Sequence, residues 1–226
     1  MRIEQIELYH IRMPLVHPFE TSFGREDEAQ RILVAVRSEG LTGWGETATS
    51  VGPWYEYETV ETCWHVLRDF LGPRVLGREV DSAADAAYLM APIRGHNMAK
   101  MGLEAAVWDL LGQAQGRSVA EMLGGTRPRV RVGVSIGVQD SVAALLDRIG
   151  SFWALGYSRI KIKIKPGWDV DIVRQVRERF AGAPLMVDAN SAYTLEDTDH
   201  LVGLDEYDLL MICLLYTSPS PRDFKY

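Results

Sequence analysis

The segment Arg159-Ile160-Lys161-Ile162-Lys163-Ile164-Lys165 alternates cation and isoleucine over seven residues. Strand side chains alternate faces, so its three isoleucines share one face and its four cations the other. Further along, Pro184-Leu185-Met186-Val187-Asp188-Ala189-Asn190 is an apolar run ending in Asp188 and Asn190, both on one side at the strand's C-terminal end. A carboxylate in that place is a natural ligand for Mg²⁺, which prefers oxygen donors in octahedral geometry. Many such aspartates instead cap the next helix. Lys161 and Lys163, two residues apart on one face, each disfavour the other's positive charge, and a nearby divalent cation adds to that effect. A neutral lysine beside a metal suits removal of a proton α to a carboxylate, with the metal stabilising the ene-diolate. The lysine row also reads as a solvated edge strand, a device against aggregation. The adjacent strand ending in Asp188 is what points to chemistry.

The elements around these residues follow a repeated grammar. Residues 130–138 read as a strand and 141–154 as an amphipathic helix with Val142, Leu145, Leu146, Ile149 and Trp153 on its stripe. Strands at 158–164 and 185–189 alternate with helices at 170–180 and 195–204, and a fourth strand begins at 208–212. Such βα units imply parallel strands joined by right-handed crossovers. Periodicity allows an open doubly wound sheet or a (β/α)8 barrel. In an open sheet both faces lie under helices, where several ammonium groups are costly. In a barrel the C-terminal ends of the strands open onto the mouth. The alternation favours the barrel, and the absence of GxGxxG after the first strand weighs against a dinucleotide fold.

The first fifty residues read as strands, with 41–46 returning as a hairpin and Gly40 and Gly43 as turn punctuation. Residues 18–24 form a loop carrying Phe19 and Phe23, aromatics that either pin the loop to the core or cover a ligand. From Glu56 the period becomes helical, with Val60, Trp64, Leu67, Phe70 and Leu71 in step until Gly72-Pro73 stops the run. Residues 82–90 and 98–114 are further helices, the latter with Met101, Ala105, Trp108 and Leu111 or Gly112 on one face, read as core. Ser118 caps a short helix ending at Gly124-Gly125. A sheet followed by helices is the α+β pattern.

Composition bounds the partners. Of 226 residues 47% are apolar and 24% charged, and the net charge is −7, which disfavours nucleic acid or an anionic membrane as the main partner. Cys63 and Cys213 are too few for a disulfide framework or a zinc cluster. With no membrane-length apolar run and no signal-peptide core at Met1-Arg2-Ile3-Glu4, the expectation is a soluble cytoplasmic protein.

Taken together, MPLVHPFETSFG (13–24), GWGE (43–46), GHNMAKMGLEAAVWDL (95–110), GVSIG (133–137), GYSRIKIKIKPGWDV (156–170) and VDANSAYTL (187–195) resemble the enolase superfamily, more closely its o-succinylbenzoate synthase / N-succinylamino acid racemase family. The resemblance implies an α+β N-terminal capping domain (1–127) followed by the first half, about four βα units, of a TIM-like barrel (128–212). It makes Lys163 the acid/base that handles the α-proton, Lys161 the group that holds the substrate carboxylate, and Asp188 the first of three Mg²⁺ carboxylates. Phe19, Phe23 and Tyr55 would close over the substrate, and Ser135 and Asn190 would line its cavity, although Tyr55 and Ser135 could equally pack as structural residues. The implied substrate is a small carboxylate: a succinylated hydroxycyclohexadiene carboxylate dehydrated on the way to menaquinone, or an N-succinylamino acid that is racemised. The family also implies a homo-oligomeric parent enzyme. Rival readings are a dipeptide epimerase or sugar-acid dehydratase on the same scaffold, and a non-catalytic binding protein that kept the fold.

The chain departs from that pattern at Cys213, where a second metal-binding glutamate is expected. CLLYTSPSPRDFKY (213–226) is foreign to the family, and its first part resembles translated sequencing-adapter read-through. With about four of eight strands and one metal carboxylate, the 226-residue chain itself is expected to be inactive and to hold Mg²⁺ poorly.

Overall fold

The computed structural model describes residues 1–215, so the predicted tail, 213–226, lies outside the described residues from 216 onward. The chain divides into two compact units: Met1–Pro14 with Glu28–Pro128, and Leu15–Asp27 with the residues from Arg129 onward.

The first unit is built on a three-stranded sheet in the order β1 (Gln5–Glu20), β2 (Arg25–Ser38), β3 (Leu41–Thr47), of which β1 and β2 run on into the second unit. β2 and β3 pair antiparallel from Ile32↔Thr47 to Ser38↔Leu41. Their two-residue turn, Glu39-Gly40, has φ of 51° and 79°, the doubly left-handed geometry that matches strand twist. Gly43 is therefore not a turn residue, as the sequence suggested. It lies within β3, and a Cβ there would collide with the Ala106 carbonyl of helix α4 (Asn97–Gln115); a Cβ on Gly45 would strike the Gly102 carbonyl. GWGE is thus a packing motif that brings helix backbone onto strand backbone.

This contact also corrects the predicted core face of α4. Ala99, Gly102, Leu103, Ala106, Val107 and Leu110 are buried along with the expected Leu111 and Gly112, whereas Met101 is exposed and Ala105 and Trp108 are only half-buried. The small residues set the face because only they allow the approach. The helix expected from Glu56 begins at Val60, where Thr59 and Thr62 form a reciprocal cap. Gly72-Pro73 does not end it: α1 (Val60–Val66) passes through a π turn (Leu67–Leu71) into α2 (Gly72–Val75), with Pro73 in a first turn that needs no N–H from it. Phe70, expected inside, is exposed. α3 (Ala83–Met90) and α5 (Val119–Met122, capped by Ser118) follow the sequence reading. Ile32, Val34, Val36, Leu67, Leu71, Leu103 and Leu110 form the core of this unit.

The second unit contains a four-stranded sheet in the order β4 (Gly133–Ile136), β5 (Arg159–Lys163), β6 (Leu185–Asp188), β7 (Met211–Cys213). Every pair is parallel, and each strand neighbours its successor. A doubly wound sheet reverses its strand order at a switch point; this run shows no reversal and is a segment of a βα barrel. β4, which pairs only with β5 among the described residues, is shorter than the predicted 130–138.

Helices α6 (Val142–Ala154) and α7 (Val170–Arg179) lie where the sequence put them. On α6, Leu145 and Ile149 are buried, but Trp153 is exposed and Phe152 packs toward the core instead. The predicted helix 195–204 is broken into 3₁₀ turns at Leu195–Asp197 and Val202–Tyr207 around one turn of α8 (Thr198–Leu201). The Thr198 hydroxyl bonds back to the Leu195 carbonyl, and Gly203 sits in the continuation; both weaken a regular helix. The core beneath the sheet is Ile160, Ile162, Ile164, Leu185 and Val187 with Leu145, Ile149, Val173 and Val176. No helix among the described residues is long and apolar enough to cross a membrane.

Candidate active site

The lysine strand is internal, not an edge: β5 is paired with β4 on one side and β6 on the other. Its isoleucines are fully buried on the helix side, as alternation requires. The opposite face is assembled by register. Ser135 lies across from Lys161, and Lys163 lies across from Asp188, so parallel pairing delivers all four side chains to one face.

There the charges meet at one atom. Asp188 Oδ2 accepts from Lys161 Nζ at 2.9 Å and from Lys163 Nζ at 2.8 Å, while its Oδ1 accepts the Asn190 backbone N–H at 3.1 Å. Lys163 Nζ also donates to Asn190 Oδ1 at 2.6 Å and stands 5.8 Å from the centre of the Phe19 ring, a cation–π distance. Side-chain exposure falls from 29% at Lys161 to 7% at Lys163 and 3% at Asp188, so the cluster runs from half-solvated to dry. Burial pushes the Asp188 carboxyl up, but hydrogen bonds from Lys163, Lys161 and the Asn190 backbone outweigh it and hold the group below its ordinary value. The shared carboxylate compensates the mutual repulsion that the sequence spacing implied for the two lysines.

The turn after β6 is unusual. Asn190 and Ser191 are consecutive left-handed residues, with φ of 46° and 62°. Such geometry costs an L-residue roughly 1–2 kcal/mol, less for asparagine. Here it folds the Asn190 side chain back onto Lys163.

The end of the β1–β2 ribbon completes this face. β1 continues through Phe19 and Glu20, so the predicted loop shrinks to residues 21–24. The Val138 N–H bonds the Glu20 carbonyl at 3.0 Å. A Cβ on Gly137 would lie 2.9 Å from that same oxygen, which is why the residue after Ile136 has none. Glu20 pairs with Lys165 at 2.9 Å, and the Ser22 hydroxyl donates weakly, at 3.4 Å, to the Asn190 carbonyl.

A cavity of about 270 Å³ opens beside Phe19 and Ser135, walled by Gly137, Gln139, Arg148 and Phe152. It holds two of the predicted substrate-binding residues but is not lined by Lys163 or Asp188. Ser135 is exposed rather than packed, and Phe23 is 44% exposed. Tyr55 belongs to the first unit, where its side chain is exposed.

For a cation the donor set is incomplete. Among the described residues no three His, Cys, Asp or Glu side chains are grouped to hold a metal, and both Asp188 oxygens already accept hydrogen bonds. One carboxylate does not displace the waters of Mg²⁺ to form a stable site.

Sequence reasoning missed a second group, the buried Asp169 and Tyr193 with the exposed His200 beside them. Asp169 could be read from sequence only as a residue preceding a helix, and Tyr193 carried no signal.

Residues 5–124 match the mandelate racemase / muconate lactonizing enzyme N-terminal domain, and residues 144–212 match the enolase C-terminal domain-like family. An o-succinylbenzoate synthase of Geobacillus stearothermophilus is 49% identical over 213 residues, 94% of this chain and 57% of its own length. An N-succinylamino acid racemase of an Amycolatopsis species is 46% identical, over 94% and 58%. The chain belongs to the enolase superfamily, in its o-succinylbenzoate synthase / N-succinylamino acid racemase family. It spans less than three-fifths of the length of these curated relatives. The solved structure of an enolase-superfamily member from Listeria innocua superposes with a TM-score of 0.88 at 36% identity, covering 96% of this chain and 59% of the other. A dipeptide epimerase from Enterococcus faecalis, solved with Mg and the dipeptide L-Leu-L-Tyr, shares the fold at a TM-score of 0.86 and 23% identity, over 96% and 62%.

Proposed function

We propose that the protein represented by this chain removes the proton α to the carboxylate of a small acid and acts as an o-succinylbenzoate synthase. The observation that carries the reading is the Lys161–Asp188–Lys163 cluster, internal to a parallel sheet and on the face opposite its core. Lys163, as the free amine, would take the α-proton onto Nζ. Lys161, the more exposed ammonium, would hold the substrate carboxylate. Return of that proton from Lys163 Nζ to the departing ring hydroxyl, which then leaves as water, balances the dehydration of the hydroxycyclohexadiene acid and restores the free amine. A second reading, racemisation of N-succinylamino acids, is favoured by the 46% identity to the Amycolatopsis racemase, and it begins with the same proton abstraction.

Phe19, Phe23, Ser135, Asn190 and Tyr55 are proposed to contact substrate. Residues 1–127 and 128–212 are proposed as capping domain and barrel half, with 213–226 as a tail foreign to both. Mg²⁺ is the proposed cofactor, and Asp188 one of its ligands. Because Asp188 is an incomplete donor set, the 226-residue chain alone is proposed to be inactive. A homo-oligomeric form is proposed for the longer protein only.

The test is turnover by the gene product at the length of its curated relatives, with Mg²⁺ present. o-Succinylbenzoate formation is followed by ultraviolet absorbance, and N-succinylamino acid racemisation by polarimetry. Either activity supports the reading; neither, from folded protein, refutes it.

A further inference from the structure

Behind the lysine cluster lies a second polar group that the proposed chemistry does not use. Asp169, 6% exposed, precedes α7, and Tyr193, 3% exposed, follows the left-handed turn. The Tyr193 hydroxyl donates to Asp169 Oδ2 at 2.9 Å. Asp169 Oδ1 accepts the Val170 N–H at 2.7 Å and meets His200 Nε2 at 3.1 Å from a largely exposed ring. Burial and the neighbouring carboxylate push the Tyr193 hydroxyl up, so it remains a proton donor.

The two residues sit on the connections that leave the two site strands. Asp169 ends the loop after β5, which is itself closed by a reciprocal Lys165–Trp168 backbone pair. Tyr193 ends the turn after β6, whose Ala192 N–H returns to the Ala189 carbonyl at 3.1 Å. Between them stand Asn190 and Ser191 in their costly conformation. A strained turn persists only where its surroundings over-determine it. The turn is held from the residues that follow β7 as well: the Ser191 N–H donates to the Leu214 carbonyl at 2.6 Å and the Tyr193 N–H to the Leu215 carbonyl at 3.3 Å.

We infer that the buried Tyr193–Asp169 hydrogen bond is a positioning element that locks the left-handed Asn190-Ser191 turn and thereby fixes where Lys163 Nζ stands. Tyr193 and Asp169 touch neither proposed substrate nor proposed base; they act through Asn190. The inference rests on the proposed role of Lys163 for its functional meaning, but its geometry can be tested without turnover.

The test uses the 226-residue chain labelled with ¹³C at lysine Cε, together with amide hydrogen exchange. In Tyr193→Phe, exchange at residues 190–192 should rise about tenfold or more, the loss of one hydrogen bond to a charged group, with Ile160 and Ile162 unchanged. The Lys163 Cε resonance should move. Adding Ser191→Gly, which adopts positive φ freely, should return that resonance toward wild type although the hydroxyl is still missing. Such rescue separates positioning from general stability. If Tyr193→Phe does not fold, Asp169→Asn, which keeps one acceptor oxygen, should move the same resonance in the same direction. An unmoved Lys163 resonance in the folded variant overturns the inference, as does a uniform rise in exchange that Ser191→Gly does not repair. Neither result bears on whether Lys163 is the base, which is read from turnover.

Discussion

Replacing Asp188 by Asn tests how the lysine cluster is held together. The variant keeps size and one acceptor oxygen but removes the charge that two ammonium groups share. The two arms differ in worth. Lys161, 29% exposed, can turn to water, and its arm contributes at most about 1 kcal/mol. Lys163, 7% exposed, cannot, and breaking a buried pair by removing one partner costs about 3–5 kcal/mol. Asp188→Asn should therefore destabilise the second unit by roughly that larger amount at neutral pH. Asp188→Asn combined with Lys163→Met should recover much of it, because no buried charge is left uncompensated.

The pH dependence follows from the direction of the Asp188 shift. Its folded carboxyl titrates below its unfolded value, so the stabilisation is complete above the unfolded value of about 3.9 and fades as pH falls through the folded one. The gap between wild type and Asp188→Asn should be flat from about pH 5 to 7 and narrow below about pH 4. Amide hydrogen exchange in the β5 and β6 peptides reports this unit by itself. A loss under about 1 kcal/mol, or a gap that persists unchanged into acid, would show that the carboxylate is not the charge that holds Lys163.

Three further outcomes are expected. Gly45→Ala drives a methyl into the Gly102 carbonyl and should cost the first unit about 1–3 kcal/mol or more in thermal unfolding, whereas Gly40→Asn, in an open left-handed turn, should cost far less. Thr59→Ala removes the cap that accepts the Thr62 N–H and should lower stability by about 1 kcal/mol in urea titration, and unchanged stability would contradict the capping assignment. Calorimetric titration of the 226-residue chain with Mg²⁺ should show no binding tighter than about 1 mM; a micromolar Kd would reveal donors besides Asp188.

Much of the site was legible because strand periodicity is unforgiving: three isoleucines and four cations can alternate in only one way, and the structure buries Ile160, Ile162 and Ile164 while gathering Lys161 and Lys163 on the other face. What alternation could not give was the partner. That Asp188 lies beside Lys163 is set by register between strands distant in sequence. The face of α4 was misread because hydrophobicity favoured Met101 and Trp108, whereas close approach to Gly43 and Gly45 favoured glycine and alanine. Asn190 was visible as a polar strand end, but its left-handed backbone was not, since asparagine and serine carry no obligatory φ. Tyr193 and Asp169 were silent for a similar reason: each is an ordinary residue type until folding buries the pair together.

The most direct measurement of the central claim is α-proton exchange in D₂O, followed by proton NMR, with a succinylated amino acid and the protein at the length of its curated relatives. Wild type should wash deuterium into the α position, and Lys163→Met should lower the rate by at least about a hundredfold, the scale of a lost general base, with substrate still bound. Exchange that survives in Lys163→Met at the wild-type rate would contradict the assignment of Lys163 as the base.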